Sequence, residues 1–525
     1  MNQLLLWVVL NMAITFTSAT DSTSVTVNDT DHGSITGDFV TFSNASTGNS
    51  SLNAQLNDEF SITSITNDNS YVITLSDNAA AALSSAGSAD AEYQLNVGIN
   101  TVVPGDGWGA GTWGADGWGS ASAEDFAGGG SLRLWSQDNF GEDLIFNERD
   151  GFVFYWDKTN AVTTRAINLI EKSDDAPRKS RKVIVSERDR HVICFGSNPL
   201  GSNEQDRLLI RFSTQENPFQ WIPTTTNTAG DLRIGSGSEI INAVKTRREM
   251  IVLTDTSVHS MQFIGPPFTF GITQLASNTT VRGFNSAVAV GDAVFWMGYD
   301  RFYVYDGRVQ VLPCSVRDHI FQDFNETQSD KVYAGVNSAF GEVFWFYPSA
   351  TNAISNGGTG DNDKYAVYNY DQKIWYVGSL ARSSWIDRGV YQYPMATDSN
   401  LVYNHEKGND NDGTAFTSFI ESSPIDVQDG DQFVFLRRMI PDVSFDNSDS
   451  GLSSDNKQAV FSLKAQRSPN GGFVKTSTNT VSPTTELNHL RLRGRSFGLR
   501  VESTTQGVNW RLGTPRVDIR ADGDR

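Results

Sequence analysis

Not one lysine or arginine stands before Arg133, although fourteen aspartates and glutamates do. Such a stretch cannot grip nucleic acid by neutralising phosphates, because that contact is built from basic side chains. The rest of the chain holds forty-one basic and forty-seven acidic residues, so most of the formal charge of −20 lies ahead of Arg133. A block of this kind serves as a solvated surface, as a docking face for a basic partner, or as a wall past which a polyanion slides.

Cysteine is almost absent. Cys194 and Cys314 alone exclude a disulfide framework, and their apolar neighbours make both read as buried free thiols, in keeping with synthesis in a reducing cytoplasm. The six histidines show no ligand spacing, and no G-x-S-x-G elbow, P-loop or dinucleotide fingerprint occurs. Asn409-Asp410-Asn411-Asp412-Gly413 looks like a calcium loop. However, Gly408 and Phe419 stand where acidic ligands are needed, so it reads as a hairpin loop. No carboxylate pair stands out for glycoside hydrolysis. Catalytic, cofactor and metal sites are therefore not expected.

Long apolar runs are missing too. MNQLLLWVVLNMAITF resembles a secretory leader, but it has no basic start, is broken by Asn11 and is too short to span a bilayer. Residues 1 to 23 are either an apolar leader or a remnant strand, and no membrane insertion is expected. Helical periodicity is confined to Ser315 to Asp330, where Val316, Ile320, Phe321 and Phe324 fall near one face.

What is present is β pattern. AVFWMGYDRFYVYDGRVQVL, from Ala293 to Leu312, reads as strand, turn, strand, turn, strand. Looser versions recur around Leu144 to Trp156, His191 to Phe212, Met250 to Phe263, Val343 to Val377 and Pro394 to Tyr403. Six hairpin units about fifty residues apart fit radial four-stranded sheets, a β-propeller of about six blades over 131–426 with its closure left open.

Ahead of it, residues 24 to 103 read as a small acidic β-module, with strands at Ser24 to Val27, Phe39 to Phe42, Glu59 to Ile65 and Tyr71 to Leu75. The polar run Ser76 to Ala91 reads as loop or short helix. Residues 104 to 130 place Trp108, Trp113 and Trp118 five apart among glycines, which fits neither strand nor helix. That segment is a linker or an inter-subunit loop, since indoles offer large contact area on an adaptable backbone. Residues 427 to 525 read as a β-sandwich-like domain with fourteen basic and ten acidic residues from Asp431 onward. Arg491, Arg493 and Arg495 alternate there, which puts three guanidinium groups on one strand face. They form either a solvated edge or a basic contact face for an acidic neighbour or a phosphate.

From about Ser131 onward the chain resembles the tail hub, or nozzle, proteins of short-tailed bacteriophages, the packaged-DNA stabilisation proteins. The resembling strings are SLRLWSQDNFGEDLIFNERDGFVFYWD, SERDRHVICFG, RFSTQENPFQWIPT, TDTSVHSMQFIGPPFTFGIT, DAVFWMGYDRFYVYDGRVQVLPCSVRDHIF and GEVFWFYPS, with GWGAGTWG ahead of them. The resemblance implies a non-enzymatic propeller subunit of a homo-hexameric ring, set beneath portal and adaptor and above needle or fibre proteins. Such a ring sits in the virion tail after synthesis in the host cytoplasm, closes the channel on packaged double-stranded DNA without binding it tightly, and opens for ejection. Family members carry a longer N-terminal part rich in Arg, Trp and Gly, which leaves the closing strand and part of the first blade open here. A secreted propeller that binds or cleaves carbohydrate is the competing expectation, to be processed near Ala19.

Overall fold

The computed structural model describes residues 7–8, 14–94, 132 and 134–523, apart from positions 31, 33, 35, 37, 68, 163, 165, 187, 266, 267, 399, 400, 428 and 469. It is nearly all β, with 48% strand and 6% helix. Two compact units divide the chain, 1–405 and 406–525.

Within the first unit, six antiparallel meanders follow one another. Their first strands begin at Trp135, Lys182, Ile240, Ala287, Tyr333 and Ser384, about fifty residues apart, and each later strand pairs with the one before it. These are the six hairpin units expected from sequence. Five sheets have four strands. The sixth has three, Ser384–Ile386, Met395–Asp398 and Leu401–Asn404, and its last strand leaves Leu401 and Val402 more than half exposed.

Middle strands such as Val192–Phe195, Met250–Thr254 and Glu342–Tyr347 are almost wholly buried because they pack on both faces. Their side chains divide with period two. Val192 and Cys194 join Ile145 and Val153 of the first sheet, while Ile193 and Phe195 join Met250 and Val252 of the third. Ile251 and Leu253 turn instead to Val294 and Trp296 of the fourth. Phe295 and Met297 pack with Val343 and Trp345, and Phe344 and Phe346 pack with Trp385 of the sixth sheet. Five cores thus link the six sheets in sequence order. This explains the continuous apolar runs, since alternation of apolar and polar residues marks only strands with one wet face.

Polar side chains join the sheets where apolar packing leaves backbone groups over. The Ser136 hydroxyl and the Asp138 carboxylate of the first sheet accept from the Val183 and Val185 amides of the second, each at 2.9 Å. The Trp345 indole donates to the Ser286 carbonyl at 3.1 Å, and the Trp385 indole to the Val336 carbonyl at 2.8 Å. Arg149, in the turn after the second strand of the first sheet, pairs with Asp330 at 2.7 Å. Asp330 lies in a 3-10 turn just ahead of the fifth sheet, 181 residues away.

The N-terminal strands form one eight-stranded sheet around Phe16, Val27, Phe42, Leu52, Ile62 and Tyr71. The four expected strands are present. The polar run after Ser76 forms two further strands, Leu83–Ala86 and Ser88–Gln94, in place of loop or helix. The second pairs along Phe39–Ser46, so strand partners override its weak β propensity. An unexpected helix, Ser50–Leu56, is capped by Asn49, whose side chain accepts from the Leu52 amide at 3.1 Å. The helical stretch expected from Ser315 to Asp330 is two short pieces, Arg317–Gln322 and the 3-10 turn Glu326–Lys331.

The second unit has a sheet that includes Ala459–Gln466, Phe473–Val481 and Ser496–Ser503, and a three-stranded sheet of Asn488–Gly494, Val434–Ile440 and Arg516–Ala521. Their core holds Leu436, Phe461, Leu492 and Val501. Its sequence boundary needs moving. Ser418–Glu421 and Ile425–Asp426, which the expected limit at residue 426 assigns to the preceding domain, pair with Ser496–Ser503. Strand pairing, not the change in composition near 427, fixes the limit.

Trp345 is fully buried and serves both a core and an inter-sheet hydrogen bond. Trp345→Ala should cost about 3–5 kcal/mol, read as a lower urea midpoint. A loss below about 1 kcal/mol would contradict the packing described.

Candidate functional site

In the three-stranded sheet of the second unit, Val434, Leu436, Met439, Leu490 and Leu492 point into the core. The alternate positions must then face outward. Pairing sets Phe435 opposite both Arg493 and Arg520, and Arg438 opposite both His489 and Asp518. Arg491 and Arg493 share this outer side, as their alternation requires, whereas Arg495, expected on the same strand face, lies in the bend after the strand ends at Gly494. The Arg493 guanidinium stacks on Phe433 at 4.2 Å and pairs with Asp522, and that of Arg495 stacks on the same ring at 4.7 Å. Cation–π contact and an ion pair therefore orient Arg493 in advance.

Beside these strands lies an open groove of about 640 Å³, lined by Phe435, Arg467, Val474, Lys475, Arg491, Arg493 and Asp522. Four cations face one carboxylate over a partly apolar floor. Arg467, Lys475 and Arg491 are exposed and have no ion-pair partner among the described residues. Cations on the neighbouring sheet behave differently. Arg500 pairs with Glu421 at 2.8 Å and Glu502 at 2.7 Å, Lys464 also pairs with Glu421, and these cations hold the Glu421 carboxyl below its usual range. The groove thus gathers three of this unit's exposed, unpaired cations beside one another, while Arg437, Arg511, Arg516 and Arg520 are exposed elsewhere in it without an ion pair among the described residues. Arg467 and Lys475 were not singled out from sequence, because they come from a separate hairpin and only the fold brings them beside Arg491. Trp108, Trp113 and Trp118 lie outside the described residues.

The titratable groups of the six-sheet array do structural work. His191 is buried against Phe212, Phe263 and Phe270, with Nε2 at 3.0 Å from the Thr228 hydroxyl, and burial pushes its pKa down to about 4. His405 receives a hydrogen bond from Arg382 at 2.9 Å and is also depressed to about 4, by burial first and by Arg382 second. Burial lowers Lys182 to about 8 although Asp138 opposes it, and its ammonium donates to the Asn242 side chain at 2.6 Å. Cys194 is buried, with its thiol raised to about 12. Cys314 is only half-buried, a departure from the expected pair of buried thiols, and burial raises it to about 11. Asn409 to Gly413 forms a tight turn, with Asn411 bridging Thr414 and positive φ at Asp412 and Gly413. Among the described residues no three His, Cys, Asp or Glu side chains could share a metal ion, and no helix is long and apolar enough to cross a membrane.

No protein-family model matches this chain, and no curated protein does. Among solved structures it is similar to the extracellular domain of a putative one component system from B. thetaiotaomicron, with a TM-score of 0.33 and 8% identity over 52% of this chain and 32% of that one. The match therefore spans about a third of that protein's length. A Synechocystis apocarotenoid oxygenase gives 0.31 and 10% over 76% and 88%, and the phage phi92 endosialidase gives 0.19 and 10% over 75% and 56%.

His191 generates a pH prediction. Its folded pKa of about 4 lies below the unfolded value of about 6.5, so the unfolded chain binds the extra proton between these limits. Its contribution is complete above about pH 6.5 and is lost as pH falls towards 4. Glu148, raised to about 7 by burial, acts with the opposite sign, since it favours the folded state below its unfolded pKa and loses that effect as pH rises through 7. Urea midpoints of the chain and of His191→Phe, compared at pH 7 and pH 5, should show a smaller acid loss in the variant. Equal losses would rule out a buried neutral His191.

Proposed function

We propose that this chain is a structural virion protein, the tail hub or nozzle subunit of a short-tailed bacteriophage. One observation carries the reading: the long strings that resemble that family fall in the segment that folds as six successive meanders, from Trp135 to Asn404. In this reading the six sheets close into one propeller. Copies assemble as a hexameric ring between portal and adaptor on one side and needle or fibre proteins on the other. The ring retains packaged DNA and lets it leave at infection.

The role needs binding surfaces and rigidity but no catalysis. The burial of His191 and Cys194 and the pairing of Arg149 with Asp330 agree with that need. A strongly acidic subunit also suits a channel through which duplex DNA, with one charge per roughly 1.7 Å, must move without sticking. Processing near Ala19, expected of a secreted carbohydrate-active chain, would remove the strand Thr15–Ser18 and its buried Phe16.

Native mass spectrometry with negative-stain imaging of the purified chain should show a six-membered ring with an intact N-terminus. The assembled ring should have negligible affinity for a duplex oligonucleotide at roughly 0.15 M salt. A monomer processed near Ala19 that binds an oligosaccharide would sink the proposal, as would tight duplex binding by the ring.

A further inference from the structure

The groove has an occupant of matching chemistry within the chain's own sequence. In the N-terminal sheet, hydrogen bonds tie the turn of Asp21 and the end of the Ser50–Leu56 helix to the loop that holds Asp77 and the buried Ala79. The Ala79 amide donates to the Ser22 carbonyl at 2.9 Å, next to Asp21. The Gln55 side chain, at the end of the Ser50–Leu56 helix, donates to the Asn78 carbonyl at 3.0 Å and accepts from the Ala80 amide at 3.1 Å. The loop of Asp77 is thereby tied to the end of the helix that Asp58 and Glu59 follow. Asp21, Asp58, Glu59 and Asp77 are all exposed, and no lysine or arginine exists among residues 1–132 to neutralise them.

We infer that the groove of Arg467, Lys475, Arg491 and Arg493 docks the acidic loop cluster of Asp21, Asp58, Glu59 and Asp77 from a second copy of this chain. The inference rests on the ring reading above and adds the chemistry of its contact. Each copy would carry one acidic and one basic surface, so contacts run head to tail and a ring closes with every surface used. Phe435 and Val474 supply an apolar floor beneath the charges, as interface cores require. Exposed charge pairs mainly set register and encounter rate, and salt screens them over a Debye length of about 10 Å at 0.1 M and about 3 Å at 1 M. DNA fits the same cations less well, because acidic residues of a neighbouring copy would compete for the groove at high local concentration.

The test uses the full chain in sedimentation velocity and native mass spectrometry. One variant carries Arg467→Glu, Lys475→Glu and Arg491→Glu, and a second carries Asp58→Lys, Glu59→Lys and Asp77→Lys. All six positions are exposed, so each variant should melt like the parent chain. Either variant alone should associate about tenfold or more weakly, and raised salt should weaken the parent chain in the same direction. An equimolar mixture of the two should recover assembly, because each reversed surface then meets its complement. A chain carrying all six changes should recover it as well. Unchanged assembly of the single variants would overturn this contact and leave the ring reading standing. Recovery in the six-change chain but not in the mixture would show that the contact is made within one chain, and would also overturn it. Loss of duplex DNA binding as the groove variant's only defect would assign the groove to DNA instead. A parent chain monomeric at every concentration would remove both the contact and the ring.

Discussion

The six-sheet array depends on one constraint: each inner sheet must be covered on two faces by different neighbours. Period two makes this possible, because one strand feeds alternate side chains to two separate cores. Val192 and Ile193 are adjacent in sequence yet serve opposite sheets. A one-residue slip would exchange the two sets, so packing on both sides fixes register more firmly than packing on one. The cross-sheet hydrogen bonds from Ser136, Asp138, Trp345 and Trp385 act on the same surfaces, and use backbone groups that would otherwise be buried without partners.

Charge is organised over a longer range than packing. Inside the array, several arginines are matched with acids, as Arg149 is with Asp330 and Arg282 with Glu326. At the two ends of the sequence this local matching breaks down. The first 132 residues have no cation to offer, and the outer side of the C-terminal three-stranded sheet has more cations than carboxylates. Unmatched charge is tolerable in water, and it becomes useful when a complementary surface arrives.

Much of the fold was legible in the sequence, for physical reasons. The strands around Ala293 to Leu312 were readable because aromatic and β-branched runs end at turns such as Asp306-Gly307, where Gly307 takes φ of +101°. The strands Leu83–Ala86 and Ser88–Gln94 were not, because their composition is small and polar and their partners lie far away in sequence. The alternation of Arg491, Arg493 and Arg495 announced a basic face, whereas the groove also needs Lys475 and Arg467, whose placement depends on how the hairpin from Ala459 to Val481 meets the next strand. Local pattern reads the strands, and it cannot read which strands meet.

Connectivity separates the two units in a further way. Each meander pairs neighbours in sequence, so its ladders form with short loops to close. In the C-terminal unit the first strand, Ser418–Glu421, waits for Ser496–Ser503, and Val434–Ile440 waits for Arg516–Ala521. Loop closure over such separations slows folding, so this unit has a higher contact order than the meanders and cannot be complete until its last strand has been made. Loss of the final residues would therefore remove a strand from the sheet that bears Arg491 and Arg493, while every meander of the array kept its own partners.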